Sequence, residues 1–458
     1  MSQQTIKAFE KRLSAAGLVL EAVGDSQVLH SAVGLSGARP DRVVRPSSVE
    51  ELAVIVPAAH ASGVSLWTAW NASGNALVVP SGNAAPPVLL ELSKMNRILA
   101  VDAPSGYALV EPGVSHAQLA AHLAEKNIPF WLDAGADADA SIAGGIWERS
   151  FGYTAYGDRL MMQCGMELMH SDGSLLRTGM GALPGENSWQ LFKYGFGPYA
   201  DGSFTQTSHT TMTKVGFWIS PAPPVYRPFA WRIESEAGFA KAVEAMRDLR
   251  VNMVVPNTLV AIDGESEKAL TGDPDAAAWN IYGALYGLPK NVETVWQMLG
   301  GLTAQLGGMK LQALKGPEAK KAEAERSALM AGRPSGPYKT FLDDSRERML
   351  RLCFALPIEG EQALDFVRRT RVAAEGSACR VVIEQGTAWR ALLAEVFILF
   401  EDGGVDAGLK LGKRLIDEGA ENGLGVVRCS PALQSAALDR YSNEGFVALR
   451  SHLASALA

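Results

Sequence analysis

The chain has 458 residues, 47% of them hydrophobic and 20% charged, which suits a folded globular protein too long for one simple core. A formal net charge of -7 argues against a general nucleic-acid binder, which would carry a basic face. The four cysteines (Cys164, Cys353, Cys379, Cys429) form no C-x-x-C pair and the seven histidines are scattered, so reduced thiols are expected and a metal centre is not.

In chain order, the opening MSQQTIKAFEKRLSAAG reads as a short helix, because it has no apolar core region followed by a small-residue cleavage site. No window holds 18 consecutive apolar residues, so no membrane-spanning helix is expected, and a cytoplasmic location is the corresponding expectation. Val43-Val44 ends a strand. Ser48 and Glu51 form an S-x-x-E box that starts a helix over Val49–Ala61. Ser65–Trp70 and Tyr107–Glu111 read as strands, and Ser115 caps a helix His116–Glu125 with Gln118 as the second half of its box. Gly165–His170, Ser171-Asp172-Gly173 and Ser174–Thr178 read as a hairpin, and Thr213–Ile219 as a further strand.

After about residue 224 strand and helix alternate more regularly. Pro228–Ile233 leads to a helix Glu236–Leu249, and Ala278–Tyr286 to a helix Val292–Leu306. Lys315–Pro337 reads as a helix plus exposed linker. Arg351–Leu356, Glu361–Ala374, Arg380–Glu384 and Ala394–Phe400 continue the theme, and helices near 405–421 and 431–456 end it. The pattern predicts an α+β fold whose second half is one antiparallel sheet with helices on a face.

Residues 148–189 read ERSFGYTAYGDRLMMQCGMELMHSDGSLLRTGMGALPGENSW, and 194–221 read YGFGPYADGSFTQTSHTTMTKVGFWISP. These strings resemble the vanillyl alcohol oxidase / p-cresol methylhydroxylase flavoprotein family, with weaker similarity over Pro46–Arg97, Ala108–Val114, Arg414–Asp417 and Gly423–Arg428. The resemblance implies a two-domain FAD-binding fold of the p-cresol methylhydroxylase type with a central α+β cap. The expected division is 1–222 for the N-terminal part of the FAD-type domain, 223–400 for the cap, and 401–458 for a C-terminal part closing onto the first domain. It also implies a homodimer and a small phenolic substrate oxidised at a para carbon, with no nucleic acid or membrane partner.

Against that family pattern the chain departs in five places. A dinucleotide needs close backbone N–H groups, which glycine permits. The glycine-rich loop of relatives after the strand at Ser65–Trp70 is Ala72-Ser73-Gly74-Asn75-Ala76-Leu77-Val78-Val79 here, unless the register slips to Ser81-Gly82-Asn83. In the second loop, Leu132-Asp133-Ala134-Gly135-Ala136-Asp137-Ala138-Asp139-Ala140-Ser141, three family glycines become Ala138, Asp139 and Ala140, and the family's acid aligns with Ala136. Thr210 stands where relatives have Gly, the C-terminal D-P-x-G segment has no counterpart, and Met349–Pro357 holds neither His nor Tyr for a covalent flavin link. The expected cofactor is therefore none, with non-covalent FAD as the alternative. Were FAD kept, Ser141, Gly144 and Gly145 would bind it.

Arg428 matches the family arginine that steadies a phenolate, although Val427 replaces the adjoining tyrosine. With Tyr153, and with Asp137 or Asp139 as base, it makes up the candidate catalytic set. Asp158 falls on another motif position, and Glu148 and Arg149 read as an ion pair. The chemistry expected is a flavin-independent lyase, a decarboxylase in its most specific form, acting on a lignin-derived para-hydroxyphenyl acid through a quinone-methide-like state. An FAD-dependent phenol oxidase or dehydrogenase and a non-catalytic partner of an active paralogue are the alternatives.

Overall fold

The computed structural model describes residues 3–24, 33–35, 39–71, 77–79, 87–314, 321–333, 337–345 and 348–457. In the first half, β1 (Glu21–Ala22), β2 (Arg42–Val44), β3 (Ser65–Ala69) and β4 (Pro87–Glu91) form a sheet in the order β1-β2-β4-β3. β4 runs parallel to both β2 and β3. The helix Val49–Ser62 supplies the crossover and buries Leu52, Ile55 and Val56 against the sheet. Ser48 accepts from the Glu51 N–H at 3.3 Å, but the Glu51 carboxylate takes the Ser47 N–H at 2.6 Å, so the expected box closes one residue early.

Next come β5 (Ile98–Asp102), β6 (Tyr107–Val110), β7 (Phe130–Trp131), β8 (Gln163–Met169), β9 (Leu175–Arg177), β10 (Thr211–Trp218) and β11 (Ser220–Pro221). β5-β6-β10-β8-β9 make an antiparallel sheet, and β7 pairs with β11. Its inner face shares a core with the first sheet's helices, including Phe9, Leu52, Trp70, Ile142, Trp147 and Phe217.

The second half holds β12 (Val225–Ile233), β13 (Val260–Asp263), β14 (Trp279–Gly287), β15 (Met309–Ala313), β16 (Met349–Pro357), β17 (Cys379–Ala388), β18 (Ala391–Phe400) and β19 (Gly425–Cys429). Among the described residues they form one antiparallel sheet in the order β15-β12-β14-β13-β17-β18-β16-β19, as the sequence pattern predicts. Alternation sorts their side chains to two faces. Leu352, Phe354, Val396, Ile398, Ile383, Ile281 and Trp231 enter a core with the helices Glu236–Val251, Pro289–Leu306, Gly360–Ala374 and Val405–Glu421. The opposite face carries a second apolar cluster, with Ala230, Val260, Tyr282, Val382 and Phe397, crossed by a mostly polar row. Arg428, Cys353, Glu395, Glu384, Ile262, Asn280, Arg232 and Lys310 are register partners in sequence across the sheet, so they form one row on that face.

Within residues 401–457, β19 pairs with β16; Leu411, Leu415 and Ile416 of the helix Val405–Glu421 join the second core; and Val427 O accepts from Gln206 Nε2 of the first unit. In that helix, spacing of four and five residues makes one apolar stripe, which finds its cover on β16 and β18. The helix expected over 431–456 is broken at Arg440–Asn443, because the Asn443 side chain accepts from the Phe446 N–H at 3.1 Å and starts a new helix, Glu444–Leu457. Of the stretch 315–337, residues 315–320 and 334–336 lie outside the described residues, and Lys321–Met330 is helical.

Candidate active site

The polar row faces the first unit and is built around like charges. Glu384 and Glu395 are direct cross-strand partners, an arrangement that repels unless each finds a cation. Glu395 is held by two: Arg428 Nη2 lies 2.6 Å from its Oε2 and Arg351 Nη2 lies 2.8 Å from its Oε1. Burial opposes ionisation of Glu395, but Arg428 and Arg351 outweigh it and hold the carboxyl down to about 2. Glu384 pairs with Arg326 at 2.8 Å, and Arg326, fully buried, also clamps Glu267. Tyr153 reaches across from the first unit. Its hydroxyl donates to Glu384 Oε1 at 2.7 Å and sits 3.3 Å from the Tyr338 hydroxyl. Burial and the Glu384 charge push that hydroxyl well above the usual tyrosine range, so it stays protonated.

Two guanidiniums share the one carboxylate of Glu395. Arg351 keeps 39% of its side-chain surface and Arg428 19%, yet loss of hydration is the largest influence on both. The Glu148 carboxyl is near enough to Arg428 and Arg351 for both to act on it. It has no hydrogen bond or ion pair among the described residues, and burial pushes it above its ordinary value while Arg428 and Arg351 pull the other way. Cys353, beside Glu395, is pushed up to about 12 by burial and by that carboxylate, so it remains a thiol.

The loop 133–141 belongs to the first unit. Asp133 is buried, accepts from Gly135 N–H at 2.9 Å and Thr154 N–H at 2.7 Å, and lies 3.6 Å from Arg159 Nη2. Gly152 packs so tightly on the Asp133 carboxylate that any Cβ there would overlap it. Asp137 accepts from the Asp139 N–H at 3.0 Å. Asp139 itself is 58% exposed and turns to Lys339 at 3.1 Å. Ser141 caps the helix Ile142–Trp147, accepting from Gly144 N–H at 3.0 Å and donating to Pro112 O at 2.6 Å.

Arg159 fills the space behind this loop. A Cβ on Gly135, whose φ is 61°, would come within 2.6 Å of its Nη2, and one on Gly145 within 2.8 Å of its Cδ. Burial lowers its basicity and Asp133 counters that. It bonds to Ser150, and its Nε is buried without a partner.

An FAD diphosphate would need outward N–H groups and little negative charge here. The N–H groups of Gly135 and Asp139 are taken by the chain's own carboxylates, the Ser141 hydroxyl is committed, and Arg159 abuts Gly135 and Gly145. After β3, Val78 returns to bridge Thr68 through bonds of 3.0 and 2.9 Å, and Leu77 is buried against Trp67 and Leu89. The described residues of both loops therefore fit a diphosphate poorly. Residues 72–76 and the alternative register at Ser81-Gly82-Asn83 lie outside the described residues.

Of the expected set, Tyr153 and Arg428 are joined through Glu384 and Glu395, whereas Asp139 stands apart at the surface because Lys339 holds it there. Asp137 remains within electrostatic reach of Arg159. Asp158 caps the helix Arg159–Met162 and accepts from Trp389 Nε1 at 2.7 Å, a link between the two units. Glu148 and Arg149 do not pair. Arg149 adopts φ 55°, which turns it to Thr205 Oγ1 at 2.8 Å and Gly202 O at 2.9 Å. Arg351, Glu395, Arg326 and Arg159 were not singled out from sequence; the opposed polar positions in β16 and β18 were the available signal.

Comparison with known proteins bears on descent. The family described as an FAD binding domain matches residues 40–179. The 4-cresol dehydrogenase [hydroxylating] flavoprotein subunit of Pseudomonas putida is 35% identical over 324 residues, 65% of this chain and 61% of that protein. The crystal structure of p-cresol methylhydroxylase with substrate bound superposes with a TM-score of 0.88 at 26% identity, covering 100% of this chain and 95% of that one. The chain belongs to the p-cresol methylhydroxylase / vanillyl alcohol oxidase-type family. Within that family, 1'-carboxy-chondrochloren decarboxylase of Chondromyces crocatus is 31% identical over 212 residues, 46% of this chain and 39% of that protein. The chain thus aligns with 61% of the first curated relative's length and 39% of the second's. The fold is the p-cresol methylhydroxylase-type FAD-binding fold. On descent, the match supports FAD, the alternative of the two cofactor expectations, and not the expectation of none.

Among the described residues no group of His, Cys, Asp and Glu could hold a metal ion, and no helix is long and apolar enough to cross a membrane.

Proposed function

We propose that the chain is a redox-neutral lyase that decarboxylates a para-hydroxyphenyl acid. The observation that carries it is the pair of guanidiniums, Arg428 and Arg351, on the single carboxylate of Glu395, which can also take a substrate carboxylate or phenolate. The poor fit of loop 133–141 to a diphosphate and the similarity to a protein named as a decarboxylase support the same reading.

In that reaction the substrate carries a benzylic oxygen substituent and a carboxylate on the next carbon. The phenol loses its proton, the benzylic C–O bond breaks with its electron pair leaving on oxygen, and a quinone methide forms. The bond to the carboxylate carbon then breaks. Its electron pair becomes the new C=C bond, carbon dioxide leaves, and the ring regains aromaticity as a phenolate that takes a proton from solvent. No hydride or electron leaves the substrate. In this scheme Arg428 and Arg351 bind the two anionic ends, Tyr153 positions Glu384, and Asp137 is the candidate base.

An FAD-dependent oxidation of a para-substituted phenol is the second reading, favoured by the domain match at residues 40–179. Anaerobic incubation of the purified protein with such an acid, without an electron acceptor, separates the two. Stoichiometric carbon dioxide and an alkene support the lyase; turnover only with oxygen or an added acceptor overturns it.

A further inference from the structure

Glu148 belongs to none of the ion pairs that stabilise this region. Its backbone is fixed: its N–H donates to Gly144 O at 3.0 Å, and Gln206 Nε2 ties Glu148 O at 3.2 Å to Val427 O at 2.9 Å. One side chain thus pins Glu148 beside the residue that precedes Arg428. The carboxyl is left without a hydrogen bond or ion pair among the described residues, and the residue is partly exposed. Buried carboxyl groups normally find partners. A free one held beside Val427 and Arg428 is available to a ligand that pairs with that arginine.

Resting on the decarboxylase reading above, we infer that Glu148 is the general acid that protonates the departing benzylic oxygen. As the C–O bond breaks, Glu148 gives its proton to that oxygen and becomes a carboxylate. The phenolic proton is lost separately, and Glu148 is reloaded from solvent after the products leave. The charged groups facing it are Arg428 and Cys429 on β19, Arg351 on β16, Glu395 on β18 and Arg159 on the helix Arg159–Met162. Burial outweighs the pull of Arg428 and Arg351, so the acid keeps its proton above the usual carboxylate range. Asp137, whose Oδ1 is engaged by its own loop, lacks that freedom.

The test compares wild type, Glu148→Gln and Glu148→Asp on two substrates that differ only in the leaving group, an electron-rich aryloxide and a nitro-substituted aryloxide, across pH. For the electron-rich substrate Glu148→Gln loses roughly 100-fold or more in kcat with KM little changed, in the range that general acid catalysis supplies. For the nitro substrate, whose oxygen leaves unaided, it loses less than about tenfold, and Glu148→Asp recovers part of the first loss. Wild type loses activity on the alkaline side with the electron-rich substrate only. Equal losses on both substrates, or an alkaline limb shared by both in wild type, overturn the inference, and the wild-type comparison stands if the variants do not fold. If wild type releases no carbon dioxide anaerobically, the decarboxylase reading fails and takes this inference with it; if it does and Glu148→Gln matches it on both substrates, only the inference fails.

Discussion

Replacing His116 with asparagine should flatten the acid sensitivity of the first unit. His116 is fully buried at the start of the helix His116–Glu125, and its Nδ1–H donates to Ala140 O at 3.0 Å, which leaves Nε2 without a partner. Burial, with Arg159 nearby, pushes the imidazole from its ordinary 6.5 down to about 3. A histidine whose folded value is depressed contributes full stability above 6.5 and loses it as pH falls toward 3, because only the unfolded chain gains the proton. The gap of about 3.5 pH units corresponds to about 5 kcal/mol, of which about 2 kcal/mol is spent between pH 7 and 5. Asparagine keeps a donor for Ala140 and does not titrate. Urea unfolding followed by fluorescence of Trp70 and Trp147, whose rings lie 5.2 Å apart in that unit, reads the effect. The wild-type advantage over His116→Asn should shrink by about 2 kcal/mol between pH 7 and 5. Parallel stability profiles for the two proteins would refute the assignment of a buried neutral imidazole.

Arg326→Met should cost about 3–5 kcal/mol at neutral pH, because it strands the buried carboxylates of Glu267 and Glu384. Thermal unfolding at pH 7 would reveal it; a change under about 1 kcal/mol contradicts the triad. Gly152→Ala should destabilise the first unit by about 2 kcal/mol or more and lower turnover, since the new methyl group meets the Asp133 carboxylate; a variant that melts with wild type shows that Asp133 has room to move. Asp139→Asn should change stability by less than about 1 kcal/mol and leave turnover intact, because its pair with Lys339 is exposed; abolished turnover would make Asp139 the base.

The strands and helices of this fold lie close to the surface of the sequence. The alternation Leu350, Arg351, Leu352, Cys353, Phe354 announces a strand with one apolar face, and β16 occupies it. Short elements whose signals conflict stayed hidden. β4 opens on Pro87 after a Pro- and Ala-rich stretch, and the four residues of β13 carry no period long enough to recognise. The site was legible in part. Arg428 and Tyr153 stood out through family resemblance, but their partners are remote: Glu395 reaches Arg428 and Glu384 reaches Tyr153 only once the register of β17, β18, β16 and β19 is set. The expected Glu148–Arg149 pair failed for a local reason, since adjacent residues at a helix end point apart once Arg149 takes a left-handed backbone. In the helix Val405–Glu421 the apolar stripe shows that a cover is needed and not which sheet supplies it; β16 and β18 do.

The proposed lyase reading needs no flavin, whereas the family match supports FAD. Acid extraction of the purified protein, followed by flavin quantification after saturation with added FAD and gel filtration, tests that directly. The account predicts far less than one flavin per chain and no absorbance band near the flavin region; a stoichiometric, stably bound flavin would contradict it.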